Sequence, residues 1–234
     1  MGVLGTGVWF LSIALEVYIV VRCLSTHAFR KYFSIGLFAG AMVLRDAGGF
    51  VVLRAYGLAS PQYTATFYFT DALLTVLMYL VIMHMYEQVF EYTGLRKYVL
   101  GAALLLLCLT ALFSYVAVRG GMGPLSFRFA TELSQDLYFV GLVLTYLLWA
   151  AVFKLRESRA RLVQFVLALG VYFSGTAALY AARNMFPVLR HFSGALIPIL
   201  GMLLLASWAY TFTLVPEGAR LAPAHLVREA TAER

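Results

Sequence analysis

The sequence predicts an all-α fold: a polytopic bundle of seven transmembrane helices, with the N-terminus outside and the C-terminus in the cytoplasm. Three observations carry this expectation. Of the 234 residues, 62% are hydrophobic and 12% charged, against about 45–50% and about 25% in globular domains. The apolar residues run continuously rather than alternating with period two, which argues against the strands of a membrane barrel. They also gather into seven stretches, each close to the roughly 20 helical residues that a hydrocarbon core about 30 Å thick requires at about 1.5 Å per residue.

The first span, Gly7–Ser25, lacks a basic leading region and a small-residue cleavage site before Arg22, so it is expected to be retained and not removed as a signal peptide. It carries Glu16 near its middle. The second, Phe33–Arg54, follows Arg30 and Lys31 and contains Gly36 and Gly40, a GxxxG pair suited to close packing within the bundle, then Arg45 and Asp46. The third, Thr66–Phe90, holds Asp71 near its outer end and His84 near its inner one. The fourth, Tyr98–Val118, is uncharged and includes Cys108, expected with Cys23 to be a packing residue. The fifth, Glu132–Phe153, brings Asp136, and the sixth, Leu162–Arg183, bears a small-residue stripe of Gly170, Ser174 and Ala178. In the seventh, Phe192–Leu214, Pro198 removes a backbone donor and should kink the helix. Residues 1–214 thus read as one transmembrane domain and 215–234 as a short cytoplasmic tail. Short loops keep consecutive helices adjacent and antiparallel.

Orientation follows from the basic residues, which favour cytoplasmic loops. With the N-terminus outside, the inner loops and tail hold Arg22, Arg30, Lys31, Arg96, Lys97, Lys154, Arg156, Arg159, Arg161, Arg220, Arg228 and Arg234. The outer side holds Arg54, Arg119, Arg128, Arg183 and Arg190. The net charge of +7 is therefore a topology signal. Nucleic acid is not an expected partner, because binding it needs a clustered basic face and these charges are dispersed. Aromatic residues mark the interfaces: Trp9, Tyr56, Tyr63, Phe67, Tyr68 and Tyr115 outside, and Tyr32, Tyr86, Tyr92, Tyr98, Trp149, Trp208 and Tyr210 inside.

Charged groups within spans are costly, at least about 2.5–3.5 kcal/mol at the bilayer centre, and mark functional or paired positions. Glu16, Arg45 and Asp46 lie near the midplane, where intramembrane charge pairing is expected, with Arg45 reaching Glu16 and the adjacent Asp46, about 100° round the helix, finding its own partner. Asp71 and Asp136 fall near the level of Arg54 and Arg183. These four form the candidate ligand site, an outward-facing aqueous layer for a small molecule, with internal ion pairing as the alternative.

Other chemistries find little support. His84, Glu87 and Glu91 share a helix face, but no second ExxH or HxxxH completes a metal cage, so an interfacial cluster is expected and no metal site. No GxSxG, Walker or dinucleotide motif is present, and no catalytic residue or cofactor is assigned. The run Phe69–Thr75 resembles the counter-ion helix of retinal proteins, yet the seventh span offers no lysine for a Schiff base, so the resemblance implies no retinal. Spans two and six share a basic start and a terminal arginine, which keeps a small-solute or ion carrier open as an alternative, although only the seventh span has an internal proline.

The third-span exit Met85-Tyr86-Glu87-Gln88-Val89-Phe90, the following Gly94-Leu95-Arg96-Lys97 and the sixth-span run Leu169-Gly170-Val171-Tyr172-Phe173-Ser174 resemble those of uncharacterised bacterial seven-helix inner-membrane proteins. In topology the chain is also similar to the seven-helix sensory input regions of bacterial kinases, without an output domain after Leu214. These resemblances imply a multi-pass protein of the inner (cytoplasmic) membrane whose signalling would need a separate partner chain. The expected function is that of a non-enzymatic, sensor-like or accessory membrane subunit; a carrier or a structural subunit of a larger complex is the alternative. Its expected partners are the lipid bilayer, a protein in the membrane or at the cytoplasmic face, and a small-molecule ligand.

Overall fold

The computed structural model describes residues 3–25, 29–57, 59–91, 93–119, 125–185 and 190–221, with backbone alone at 3–6, 8, 29–30, 183–184 and 190–195. These residues form seven helices: α1 (Val3–Ser25), α2 (Phe29–Tyr56), α3 (Pro61–Val89), α4 (Arg96–Val118), α5 (Leu125–Lys154), α6 (Ala160–Met185) and α7 (Arg190–Leu214). Six of them, α2 to α7, are long and apolar enough to cross a membrane, which makes the chain a multi-pass integral membrane protein with an all-α fold. The helices outrun the apolar stretches, most clearly at the starts of α3 and α5, because a helix needs backbone hydrogen bonds rather than apolar side chains to continue. At α3 the start is set chemically. Gly57 turns the chain at φ +80°, the Ser60 hydroxyl accepts from the Tyr63 N–H at 3.1 Å, and Pro61 occupies the first turn.

Packing gives a ring. α1 lies against α2, α2 against α3, α3 against α5, α5 against α6, α6 against α7, and α7 returns to α1. α4 packs on α5 and, less extensively, on α3, and so stands outside this ring. Its buried residues are Ala103, Thr110, Ser114 and Val118, one stripe at helical spacing, with the remaining apolar surface facing outward. The direct α3–α5 interface puts chain neighbours of α4 in contact with each other, a feature that short loops alone do not predict.

Lipid gives helices no hydrophobic drive to associate, so close fit and interhelical hydrogen bonds must hold the ring. Tyr79 donates to the Ala103 carbonyl at 2.6 Å, joining α3 to α4. Tyr86 donates to the Leu144 carbonyl at 2.6 Å, joining α3 to α5. The Trp149 indole donates to the Val166 carbonyl at 2.9 Å, joining α5 to α6. Bonds of this kind contribute on average about 0.6 kcal/mol each in membrane proteins. Small residues do the rest. A Cβ on Gly36 would stand 3.0 Å from the Cβ of Cys23, so the GxxxG face closes α2 onto α1. On the sixth-span stripe, Gly170 admits the Trp149 ring and Ser174 meets the Tyr146 hydroxyl, both on α5, whereas Ala178 is exposed.

The half of the bundle next to the basic loops is plugged by rings. Tyr32 packs against Phe165 and Phe212 with centroids 5.6 and 5.2 Å away, and Trp208 meets Phe38 and Phe165. Tyr32, Tyr86 and Trp208 are therefore core residues and not interfacial anchors. Aromatic composition cannot separate these two roles, because the same rings fill a core and mark a headgroup level. Tyr98 and Tyr210 are exposed at that end, and Tyr56, Phe67 and Tyr115 at the other, while Tyr92 lies outside the described residues. Cys23 is buried, but Cys108 is exposed on α4 and is no packing residue; both thiols are free.

The basic end is tied together by charge. Arg159 on the α5–α6 connection binds both carboxylate oxygens of Glu157, the Glu91 carboxylate at 3.2 Å and the Gln88 carbonyl at 2.6 Å. Arg161 donates twice to the Val215 carbonyl and lies over the Tyr32 and Phe212 rings. Residues beyond α7 fold back on the same connection, with the Ala160 N–H bonded to the Ala219 carbonyl at 3.0 Å and the Leu221 N–H to the Ser158 carbonyl at 2.8 Å. The start of the tail is thus a built part of this face.

Candidate functional site

Polar side chains collect near the middle of the ring. Counting about 1.5 Å per residue from the helix ends opposite the basic loops, Glu16 on α1, Arg45 and Asp46 on α2, Asp71 on α3, Ser134 and Tyr138 on α5 and Tyr172 on α6 all lie about 14–20 Å in. Five of the six ring helices contribute to one layer.

Asp71 is the centre of its α3–α5–α6 part. It stands beside the buried Ser134 hydroxyl, close enough for the two to interact. Tyr138 and Tyr172 also feel its charge, and their hydroxyls meet at 3.3 Å. Tyr180 stacks against Tyr138 with centroids 5.3 Å apart. Thr75, one turn along α3, is buried and gives its hydroxyl proton to the Asp71 backbone carbonyl at 2.8 Å. A carboxylate and three hydroxyls, Ser134, Tyr138 and Tyr172, therefore converge, and among the described residues the Ser134 oxygen has no hydrogen-bond partner of good geometry.

The α1–α2 part has a different arrangement from the one expected. Arg45 does not reach Glu16. Its guanidinium turns to Asp46, with Nε and Nη2 2.8 and 2.7 Å from Oδ1. The two Cβ atoms point apart on the helix, but the arginine stem is long enough to bring its head back to the neighbouring carboxylate, and so one residue satisfies the other. Glu16 is completely buried, and neither of its oxygens has a hydrogen-bond partner among the described residues.

Of the four residues of the expected outward layer, the three with described side chains, Arg54, Asp71 and Asp136, do not assemble as a unit. Asp136 accepts a hydrogen bond from Ser114 of α4 at 2.6 Å. Residues 134 and 138 face the Asp71 cluster, and position 136, about 200° from either, is turned toward α4 instead. Arg54 is exposed at the end of α2, and among the described residues it pairs with neither aspartate. Arg183 lies on α6, with its side chain outside the described residues. What sequence reasoning missed is the hydroxyl set, Ser134, Tyr138 and Tyr172. The available signal was Tyr138 four residues beyond Ser134, on one helical face.

Charge decides what this layer can hold. Among the described residues, three carboxylates, Glu16, Asp46 and Asp71, and one guanidinium, Arg45, stand on its ring-facing side. The Cα of Arg128 lies about 5 Å from the start of α5, and one of its guanidinium nitrogens is buried without a hydrogen-bond partner among the described residues. A surplus of negative charge at this depth is offset by protons, by a bound cation or by a basic side chain reaching in from the edge of the layer. At the basic end, His84 Nε2 and the Gln88 amide both meet the Lys31 carbonyl, at 2.8 and 2.7 Å, and Glu87 pairs with Arg96. His84, Glu87 and Glu91 are thus engaged as an interhelical clamp, and no group of three metal-binding side chains occurs among the described residues. Comparison of the chain with protein-family models, with curated proteins and with solved structures gives no match in any of the three.

Proposed function

We propose that this integral membrane protein is a non-enzymatic, sensor-like or accessory subunit whose polar layer around Asp71 receives a small molecule carrying a positive charge. The observation that carries this reading is the excess of carboxylates over guanidinium in one layer, beside the buried Ser134 hydroxyl, which has no hydrogen-bond partner of good geometry among the described residues. An amine-bearing ligand would neutralise Asp71 and donate to Ser134, Tyr138 or Tyr172, replacing water by fixed partners. Asp71 lies in the half of α3 away from the basic loops, so by the positive-inside tendency the site is approached from outside the cell, with seven spans and a cytoplasmic tail in a bacterial-type inner membrane. The clamped basic face, with its exposed Lys97, Lys154 and Arg156, is the side on which a separate protein partner would read the bound state. An anionic ligand held by Arg54 and Arg183 is the less favoured occupant, because Arg54 stands apart from the layer.

The test is binding by the purified protein in detergent, read as thermal stabilisation across a panel of small amines, polyols and carboxylates. Amines are expected to raise the melting temperature of the wild type, and Asp71→Asn is expected to fold normally and lose at least about tenfold in affinity, the loss of one charge-assisted hydrogen bond of about 1.5–3 kcal/mol. Stabilisation by carboxylates alone would overturn the assignment. The same charge excess also suits a cation-coupled carrier. Flux of the bound amine into proteoliposomes would favour that second reading, whereas binding without flux, together with a co-purifying membrane partner, favours the subunit.

A further inference from the structure

The layer contains one carboxyl that neither the Asp71 cluster nor the Arg45–Asp46 pair uses. Glu16 sits in the middle of α1, wholly removed from solvent, with both carboxyl oxygens unpartnered among the described residues. Two helices pack against α1, namely α2 and α7. From α2 it faces Arg45 and Asp46, and Arg45 is already held by Asp46. Over its described side chains, Leu196–Leu214, α7 brings no charged group, and its one titratable side chain, Tyr210, is exposed. On α1 itself, Tyr18 is bonded to Thr213 and Arg22 toward the basic end. An ionised Glu16 would therefore stand without a donor in a low-dielectric interface while repelling Asp46. That is an arrangement a folded membrane protein avoids by neutralising the carboxyl.

We propose that Glu16 is a proton-binding site, carrying its proton in the arrangement described, and that Arg45 is the group that responds when the proton leaves. In that step the O–H bond of Glu16 breaks, its electron pair stays on the carboxylate oxygen, and the proton passes to water as hydronium. The new carboxylate then competes with Asp46 for the Arg45 guanidinium, the cation that acts on Glu16 from α2. Arg45 also acts on Asp71 and Tyr172, so its movement carries the protonation state of the α1–α2 interface to the α3–α5–α6 cluster. The site does not depend on Asp71 binding any ligand.

Dicyclohexylcarbodiimide tests this on the full chain in liposomes, because it labels carboxyls that are protonated in apolar surroundings. The acid adds across the C=N bond and rearranges to a stable N-acylurea, with no group leaving. Peptide mass spectrometry is expected to find the adduct on Glu16, forming faster in acid and falling by about tenfold per pH unit once the site has titrated. Infrared spectroscopy supplies a second readout: the C=O stretch of a protonated carboxyl, present in the wild type, lost as pH rises and absent from Glu16→Gln. Glutamine mimics the neutral acid, so this variant should fold like the wild type. A Glu16→Gln protein that fails to fold, an infrared band that persists in that variant, or an adduct on Glu16 that does not vary with pH would each overturn the proposal. No ligand is present in these measurements, so they fail or succeed separately from amine binding at Asp71.

Discussion

Glu157 shows what a charged residue does when it sits outside the bilayer. Its side chain, on the α5–α6 connection, is mostly withdrawn from solvent. Burial alone would raise its carboxyl's affinity for a proton, but the Arg159 side-chain and backbone N–H groups outweigh that and hold Glu157 below the usual carboxylate range. The same contact raises Arg159. A folded-state value below the unfolded one means that the pair stabilises fully above the ordinary value of 4.5 and loses that contribution as pH falls through the lowered one. Glu157→Gln should therefore lower stability near neutral pH by about 1–2 kcal/mol, and the gap from the wild type should close in acid. Thermal unfolding in detergent as a function of pH checks this; a gap that persists in acid contradicts it. Within the bilayer, Glu16, Arg45, Asp46 and Asp71 were legible as residues of interest because charge in a span is rare and costly. Their partners were not. Spacing fixes where a Cβ points, whereas a four-atom arginine stem decides where its charge ends up, and so the Arg45–Asp46 contact and the unpartnered Glu16 emerge only with the fold in hand.

At the scale of the element, the seven helices follow from apolar runs and their punctuation, and the small residues of α2 and α6 were legible as packing faces. The partner that each face accepts was not, because it depends on which helices adjoin. Gly141 and Gly170 make the point from the two sides of one interface. A Cβ on Gly141 would lie 2.4 Å from the Phe173 ring, and one on Gly170 2.4 Å from the Trp149 ring. Each ring of one helix thus sits in the gap left by a glycine of the other. Gly170→Val should cost about 1–3 kcal/mol through overpacking and disturb the Trp149–Val166 bond, visible as a shift in tryptophan fluorescence alongside a lower melting temperature. Gly101→Ala, on the open side of α4 with nothing within 4 Å, should be neutral or stabilising, since alanine is the better helix former by about 1 kcal/mol. Equal losses at both positions would show that the fit at α5–α6 is not what holds these helices.

For the whole molecule, the distribution of basic residues makes a prediction that stands apart from any ligand. A thiol introduced at Ala59 should react with a membrane-impermeant reagent added from outside intact cells, and thiols at Arg156 or Arg220 should react only after the membrane is opened. The reverse pattern would invert the bundle and turn the Asp71 layer toward the cytoplasm. The sequence-level account of one bundle with its charges sorted to one end matches the observed clustering of Arg159, Arg161 and their partners at that end. The position of α4 outside the ring had no sequence signature, because its uncharged span, Tyr98–Val118, reads alike whether it faces two neighbours or six.

Ring closure has a consequence for biogenesis. The hydrogen bond that joins Tyr18 of α1 to Thr213 of α7 links residues 195 positions apart. At about 5–20 residues per second, α1 waits on the order of 10–40 s on the ribosome before its second neighbour exists. Until then one flank of the helix that bears Glu16 faces lipid or the insertion machinery. A neutral, protonated carboxyl is the form that tolerates such an interval. The ring can seal only after the last helix has been made, so slowed translation or truncation ahead of α7 should expose α1 to quality-control proteases, while the α3–α5 pair, complete much earlier, survives.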